Sequence, residues 1–513
     1  MGQSLVAFDT DHIKKYVFAT NKLKEIRGAS ALLDHLNRET MITLAGGECI
    51  YANGGGGLFV VDTEQTENII HMVGHAYRQQ GASITGASIP LSEEIATQVK
   101  GADVKNELAL LRHRLRRAKD GSQTPTLPLT HSLLRFCDSC GIEYAVTRFS
   151  SGELLCPTCN RKRQEDAAVK NSIEVWSTSP PAPDENRLWG RLIRLLQADG
   201  SYPITGYTRP EKFETLGDLS KPNNYMGLIY ADGDNMGREI EQIQTLAEMK
   251  RFADAVDGAL YQAVSEAITH YLSPDPNDSE WPFDILLLGG DDLVMVTRAE
   301  SAMQVALYIT KRFPVLTEER WGKPLNLSTS VVLTHVNYPI GSLLDLAESS
   351  LSFAKRTAAR RTLDGNPTTG GMLNFLVVNS ANHQEFDQYY NQTLKEEVGT
   401  TTFYRTQRPY TVTEMEELLA QIAQLGAVPR TKLQQLRSAV FKSKRQGTID
   451  AMMAILRMNK QEQREALLSL VGTTPAEQLH LPWVSQGKNW ITPILDIVDL
   501  IDFVGKGDDY DED

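Results

Sequence analysis

The sequence predicts an α+β protein in which two ferredoxin-like units are separated by a zinc-binding insertion and followed by a helical C-terminal region. Two stretches of the chain repeat the order strand, helix, hairpin, helix, strand. Four of the five cysteines stand in two Cys-x-x-Cys pairs between these stretches. After about residue 379 the apolar residues follow a helical spacing.

The composition is typical of a multidomain protein without a membrane anchor. The chain has 513 residues, of which 41% are hydrophobic and 23% charged, and this length indicates about three or four domains. Its formal charge of −13 argues against a free-standing, nonspecific nucleic-acid binder, which is normally basic. No apolar run is long enough to span a bilayer, and a strand-like segment begins at Ser4 without a signal sequence before it. We therefore expect a cytoplasmic protein that does not bind membranes.

Residues 1–118 form the first predicted unit. Its predicted elements are a strand at Leu5–Phe8, a helix at Ala29–Leu44, hairpin strands at Ile50–Ala52 and Leu58–Val61, and a helix from Thr66. Asn53 and four glycines form the bend of the hairpin, where Gly55 and Gly56 let a nucleotide approach the backbone closely. A basic stretch follows, which either contacts RNA phosphates or solvates a helix end: Arg112, Arg114, Arg116, Arg117 and Lys119.

Residues 119–220 form the predicted insertion. Its ligand set matches a structural zinc site with four thiolates and no open position: Cys137, Cys140, Cys156 and Cys159. The alternatives are two disulfides, which a cytosolic location disfavours, and four buried thiols. Arg161, Lys162 and Arg163 follow, as an RNA contact or a solvated helix start. The Pro-rich segment Ser179–Pro183 is the clearest linker.

Residues 221–378 form the second predicted unit. Its predicted elements are strands at Met226–Ala231, Ile285–Leu288, Leu293–Val296 and Leu325–Leu333, and helices at Phe252–Tyr271, Ala302–Phe313 and Leu343–Ala358. Asp232 follows its first strand, and Gly289-Gly290-Asp291-Asp292 forms the bend of its hairpin.

These acids predict a catalytic centre with Asp232, Asp291 and Asp292 as its carboxylates. Carboxylates at adjacent strand ends can share two Mg²⁺ or Mn²⁺ ions, which drive in-line attack on a phosphate. Gly289 and Gly290 would let a nucleotide lie against the backbone. The alternative is an ordinary acidic turn.

Two neighbours of Asp232 carry weaker predictions. Asp234 and Asn235 are candidate nucleotide contacts, although Asp234 can simply orient the turn and Asn235 can cap the next helix.

The first unit has Asp9 where the second has Asp232. It lacks hairpin carboxylates, so we expect it to hold metal weakly. The sequence thus predicts one catalytic unit facing one binding unit.

Residues 379–505 form the predicted helical region, and residues 506–513 an acidic tail too charged to pack. Thr413 and Glu416 have the spacing of a capping box. Arg430, Arg437 and Lys444 recur every seven residues, which predicts one basic helical face that contacts RNA or another subunit.

Several motifs, in this order, resemble the large subunit of type III CRISPR effector complexes, a polymerase/cyclase-like protein whose palm domains are related to GGDEF and adenylyl cyclase domains. They are Lys24–Ser30, the four cysteines, Ala231–Gly237, Gly289–Asp292, Ala354-Lys355 and Arg408-Pro409-Tyr410. The resemblance covers nearly the whole chain.

The resemblance implies that both ferredoxin-like units are palm domains and that the chain makes cyclic oligoadenylate from ATP when its complex binds target RNA. It implies metal ligation by Asp232 and Asp291, with Asp292 beside them, and a triphosphate contact for Lys355. The implied partners are the other effector subunits, guide RNA and target RNA.

The chain departs from the family at its N-terminus, where many members carry an HD nuclease domain. Here the first palm begins at residue 4 without a His-Asp dipeptide, so we expect a variant without HD-type DNase activity. Two alternatives stay open: a non-catalytic scaffold for RNA and proteins, and a stand-alone cyclase with a different cyclic product. The three acids disfavour the scaffold.

Overall fold

The computed structural model describes residues 2–97, 101–121, 134–182, 185–366, 368, 370–378, 384–425, 428–458, 460–469 and 480–504. The predicted acidic tail at 506–513 and Pro183 of the predicted linker lie outside the described residues. Within the described part of the chain, no helix has both the length and the apolar character needed to cross a bilayer.

The first palm contains a four-stranded antiparallel sheet. Its elements are β1 (Gln3–Asp11), α1 (Ile13–Val17), α2 (Leu23–His35), α3 (Met41–Ala45), β2 (Glu48–Asn53), β3 (Gly56–Asp62), α4 (Thr66–Gln79), β4 (Ser83–Pro90), α5 (Glu93–Thr97) and α6 (Lys105–Gly121). The strand order is β2-β3-β1-β4, the ferredoxin-like order. A π-helical turn at Leu36–Thr40 joins α2 to α3 within the predicted helix.

The second palm repeats this order. Between the palms lie β5 (Thr147–Arg148), β6 (Leu154–Leu155), α7 (Pro157–Thr178), α8 (Leu188–Asp199) and α9 (Phe213–Asp218). The palm itself contains β7 (Tyr225–Gly233), α10 (Met236–Gln242), α11 (Leu246–Tyr271), β8 (Phe283–Gly289), β9 (Asp292–Arg298), α12 (Ala302–Trp321), β10 (Leu327–His335), α13 (Ile340–Leu363) and β11 (Met372–Val378). Its central order β10-β7-β9-β8 matches β4-β1-β3-β2, which confirms the predicted duplication.

The C-terminal region is helical as predicted, but it also contains strands that the sequence analysis missed. Its elements are α14 (Phe386–Tyr389), β12 (Lys395–Val398), β13 (Thr401–Tyr404), β14 (Tyr410–Thr411), α15 (Val412–Leu425), α16 (Arg430–Val440), α17 (Lys444–Leu456), α18 (Gln461–Ser469), β15 (Val484–Gln486), β16 (Asn489–Ile491) and α19 (Ile494–Leu500). Strands of two to four residues are too short to show a period of two, and β14 only extends the palm sheet beside β11.

The capping box of α15 lies two residues earlier than predicted. Thr411 Oγ1 accepts a hydrogen bond from the Glu414 amide, and Glu414 Oε2 accepts one from the Thr411 amide. The pair predicted at Thr413 and Glu416 is wrong because α15 begins at Val412, which puts both residues inside the helix.

The segment Lys24–Ser30 connects the first palm to the insertion that carries the four cysteines. Gly28 is required because a Cβ there would lie 1.7 Å from the Lys162 carbonyl oxygen of α7. Beside it, buried Arg27 pairs with Asp166 of α7 at 2.9 Å and with Asp284 of β8 at 3.2 Å. Removing one partner from such a buried pair costs about 3–5 kcal/mol. The segment therefore ties α2, α7 and the β8–β9 hairpin of the second palm together.

Candidate active site at the contact between the two palms

The predicted acids meet at one end of the second palm sheet. In β7 and β9, Ala231 pairs with Leu293, so that Asp232 at the next position lies beside Asp292. The hairpin closes with Gly289 opposite Asp292, and Gly290 takes the left-handed φ of 63° that its bend requires. Strands with buried apolar residues thus end in carboxylates that reach solvent.

Lys355 of α13 reaches the same strand end. Its Nζ lies 2.6 Å from Asp232 Oδ2 and 2.7 Å from the Gly233 carbonyl oxygen. The structure therefore brings the predicted phosphate-binding lysine and the first predicted metal ligand into direct contact.

The hairpin carboxylates lie in an unfavourable electrostatic environment. Desolvation, followed by the negative charge of Asp232, raises the pKa of Asp291 to about 6. The same two causes and the charge of Asp291 raise the pKa of Asp292 to about 8. A divalent cation would relieve both causes, so this oxygen donor set fits Mg²⁺ or Mn²⁺.

The acids are not drawn together as closely as a bound ion would require. Among the described residues, only one group of three or more His, Cys, Asp or Glu side chains has its ligand atoms within 4.8 Å of one another. That group is the four cysteines, and it does not include Asp232, Asp291 or Asp292. Lys355 occupies an oxygen of Asp232 instead.

Asp234 and Asn235 have different environments. Asp234 Oδ2 accepts a hydrogen bond of 2.8 Å from Ser328 of β10, while its buried Oδ1 has no partner. Burial raises the pKa of Asp234 to about 6. Asn235 precedes α10 with a left-handed φ of 57° and makes no side-chain cap, which contradicts the capping interpretation. Asp234 thus anchors the end of β7 to β10, and a nucleotide contact for either residue stays a prediction.

The first palm has a matching but altered set of residues. Asp9 of β1 lies opposite Gly56, in the same way that Asp232 of the second palm lies beside Asp292. Gly55 and Gly56 therefore occupy the positions of Asp291 and Asp292. Lys119 of α6 forms an ion pair with Asp9 at 2.6 Å. The sequence pattern allowed either an RNA contact or a solvated helix end for this lysine.

The two hairpins touch through glycines. A Cβ on Gly54 would lie 3.2 Å from the Gly290 Cα, because Gly54 packs directly on the turn Gly289–Asp292 with a φ of 56°. Gly54 was not predicted beside Gly55 and Gly56, because its contact lies in the other palm.

A cavity of about 350 Å³ opens beside this contact. Its lining joins apolar side chains of both palms to the turn Gly289–Asp292 and includes Phe8, Tyr51, Met249, Phe252, Gly290 and Asp291. An apolar cavity with a few polar groups at one end is the usual form of a small-molecule site.

The four cysteines converge as predicted. Their sulfurs lie within 4.8 Å of one another, and none of them forms a disulfide. Cys156 Sγ accepts a hydrogen bond of 3.3 Å from the Cys159 amide at the start of α7. The cluster is compatible with zinc.

The basic residues after the cysteines face the protein. Lys162 is buried, with Nζ 2.6 Å from the Tyr16 carbonyl oxygen, and Arg163 pairs with Glu25 at 2.6 Å and Glu153 at 2.7 Å. An RNA contact by Lys162 or Arg163 is therefore wrong, because both cations are used to dock α7.

The residues Arg430, Arg437 and Lys444 do not lie on one helical face as predicted. The first two residues belong to α16, whereas Lys444 begins α17 and lies 3.1 Å from the centre of the Trp490 ring. Arg430 pairs with Asp502 at 2.8 Å. The period of seven is misleading because the helix ends at Val440, and contact with RNA or a subunit stays a prediction for these residues.

Comparison with known proteins agrees with this architecture. Residues 225–363 match the model of the Cas10/Cmr2 second palm domain. No curated protein is significantly similar to the chain in sequence.

Solved structures share the fold at low sequence identity. A Csm1–Csm4 cassette in complex with AMPPNP has a TM-score of 0.59 and 13% identity, covering 98% of this chain and 69% of its own. A Csm1–Csm4 cassette in complex with cA4 has a TM-score of 0.57 and 14% identity, covering 98% and 69%. Csm1 from T. onnurineus has a TM-score of 0.59 and 13% identity, covering 98% and 70%. The predicted resemblance is confirmed at two levels: residues 225–363 match the second palm domain of Cas10/Cmr2, and the chain has the fold of Csm1 from type III CRISPR complexes.

Proposed function

We propose that this chain is a metal-dependent nucleotidyltransferase that joins ATP into cyclic oligoadenylate, as a subunit of an RNA-guided type III CRISPR complex. The observation that carries the proposal is the meeting of Asp232, Asp291, Asp292 and Lys355 at one strand end of the matched palm. The solved relatives bound to AMPPNP and cA4 support this substrate and product class.

The proposed chemistry uses the chain's own groups in separate roles. Asp232, Asp291 and Asp292 would hold Mg²⁺ or Mn²⁺, which supplies charge neutralisation on the phosphates and activates the attacking hydroxyl. Lys355 would exchange its contact with Asp232 for the distal phosphates of ATP, a charge-assisted contact of the kind that phosphoryl transfer requires. The glycines of both hairpins would let the nucleotide lie against the protein backbone, and the apolar cavity would bind its base.

The proposed partners follow from the same relatives. Csm4 accompanies Csm1 in the solved cassettes, so we propose other effector subunits, with guide and target RNA, as the partners of this chain. We assign Zn²⁺ at the four cysteines a structural role, because all four tetrahedral positions are filled.

Mass spectrometry of the products formed from ATP and Mn²⁺ tests the proposal, first with the chain alone and then with its complex and target RNA. The test variant is Asp291→Ala/Asp292→Ala. The matched control is Glu93→Ala/Glu94→Ala, which removes two adjacent, exposed acids of α5.

We expect cyclic oligoadenylate from the wild type and the control, and none from the test variant. Equal product from the test variant would contradict the assigned site. A wild type that binds ATP with metal but forms no product in the full complex is a scaffold, whereas turnover of GTP would indicate a cyclase with a different product.

A further inference from the structure

Two side chains of α11 form hydrogen bonds to the backbone in and next to the catalytic turn, Gly289–Asp292. The Gly290 amide donates a hydrogen bond of 2.9 Å to Asp257 Oδ1. One helical turn further, Tyr261 Oη donates to the Leu288 carbonyl oxygen at 3.3 Å. Residues four apart share a helix face, so α11 holds the backbone on both sides of Gly289.

Asp257 is itself held by two cations from other parts of the chain. Arg38 Nη2 of the first palm lies 3.0 Å from its Oδ1, and Arg191 Nη1 of α8 lies 2.6 Å from its Oδ2. Burial by itself would raise the pKa of Asp257, but the two guanidinium groups bring it below its ordinary value. The carboxylate therefore stays ionised and accepts the Gly290 hydrogen bond as a charged group, which strengthens that bond.

Arg38 is placed by the π-helical turn of the first palm. Its Nε lies 2.9 Å from Asp34 Oδ1, and Asp34 Oδ2 accepts a hydrogen bond of 2.7 Å from the Leu188 amide at the start of α8. Single π-helical turns occur frequently at functional sites. The alternating series Asp34, Arg38, Asp257 and Arg191 thus joins the first palm, the connector and the second palm.

We infer that Asp257 is a positioning residue of the catalytic turn, through which Arg38 of the first palm and Arg191 of α8 fix the Gly290 peptide. That the turn is catalytic rests on the proposed function, whereas the positioning of the turn by Asp257 does not. Gly290 directly precedes Asp291, so a shift of Arg38 with the first palm changes the direction of that carboxylate. The arrangement of the two palms is therefore coupled to the metal-binding acids.

Hydrogen exchange of the peptide that contains Gly290 tests the inference in the full chain. The variants are Asp257→Asn, which keeps an oxygen acceptor but loses its charge, and Arg38→Gln, which leaves Asp257 paired with Arg191. The control is Glu266→Gln on the same helix. It breaks the 2.7 Å ion pair between Glu266 and Arg312, which does not involve the turn.

We expect exchange at Gly290 to rise about tenfold in both test variants, because a charge-assisted hydrogen bond becomes a weaker one or loses its support. Exchange in β7 should stay unchanged, which separates a local effect from loss of global stability. Unchanged exchange at Gly290, or an equal rise in the control, would overturn the inference. If Asp257→Asn does not fold, Arg38→Gln decides the question.

Turnover provides the second readout. In Asp257→Asn we expect kcat to fall about tenfold while KM for ATP changes by less than about twofold, because the change acts on the direction of Asp291, whereas Lys355, the proposed contact to the distal phosphates, is unaltered. An unchanged kcat together with faster exchange would overturn the catalytic part of the inference. A wild type without product would defeat the proposed function, and the exchange at Gly290 would still decide whether Asp257 positions the turn.

Discussion

The two palms have the same strand order and the same lysine–aspartate pair, but they differ at the hairpin. Asp232 and Lys355 lie 2.6 Å apart in the second palm, and Asp9 and Lys119 lie 2.6 Å apart in the first. The hairpin carries two acids in the second palm and two glycines in the first. Both palms thus have the charge pair, whereas only the second has the hairpin acids that we propose as ligands of a divalent cation.

The difference between the hairpins also has an electrostatic consequence. Gly54 of the first palm and Gly290 of the second occupy equivalent positions, and they lie in direct contact. Acids at Gly55 and Gly56 would bring negative charge towards Asp291 and Asp292, whose pKa values are already raised. A first-palm hairpin without acids therefore lets the two bends touch without adding to that repulsion.

The largest expected difference between the palms is at the strand-end aspartates. Asp232→Asn should lower turnover on the order of 10³-fold, since it removes a ligand of the proposed metal site. Asp9→Asn should lower turnover by less than about tenfold, because its hairpin offers no second carboxylate. Steady-state rates of both variants measure the contrast, and equal losses would show that both palms are catalytic.

The lysines should give a smaller contrast. Lys355→Ala should lower kcat/KM for ATP by about 10- to 100-fold through loss of a charge-assisted phosphate contact. Lys119→Ala should change kcat/KM by less than about threefold, since Lys119 contacts Asp9. Rates at varied ATP concentration test this, and a greater loss for Lys119→Ala would reverse the assignment.

The glycine contact should respond less strongly still. Gly54→Ala places a Cβ 3.2 Å from Gly290, whereas the control Gly46→Ala, with a similar φ of 63°, meets no atom within 4 Å. Both changes add strain of about 1–2 kcal/mol, measured as lost stability in denaturant. Only Gly54→Ala should also lower turnover, by about tenfold. Equal turnover in the two variants would indicate that the hairpin contact is dispensable.

The smallest expected effect on turnover comes from the zinc ligands. Cys137→Ser/Cys140→Ser should abolish zinc binding, measured by elemental analysis, and should raise hydrogen exchange in α2 and α7. Turnover should fall by less than about tenfold, because α11 still holds the turn. Faster exchange in β7 instead of α2 would show that the insertion supports the second palm more than the first.

Much of the fold and site was predictable from local patterns. The apolar runs before Asp232 and Gly289 predicted both strands of the site, and the cysteine spacing predicted the convergence of the four thiols. The short strands of the C-terminal region were missed because two to four residues give no measurable period. The basic face was wrong because a spacing of seven has meaning only within one uninterrupted helix.

The sequence by itself identified the candidate functional groups, each marked by neighbouring residues in the chain: three acids, a lysine, four thiols and two glycine-rich bends. Only the tertiary structure decided their partners. Asp257 and Arg38 are 219 residues apart, and their sequence neighbours mark them as ordinary helix residues. In the structure they form an ion pair beside the Gly290 peptide. Local sequence specifies strands and turns through short-range sterics, whereas buried ion pairs and close glycine contacts depend on how separate domains pack.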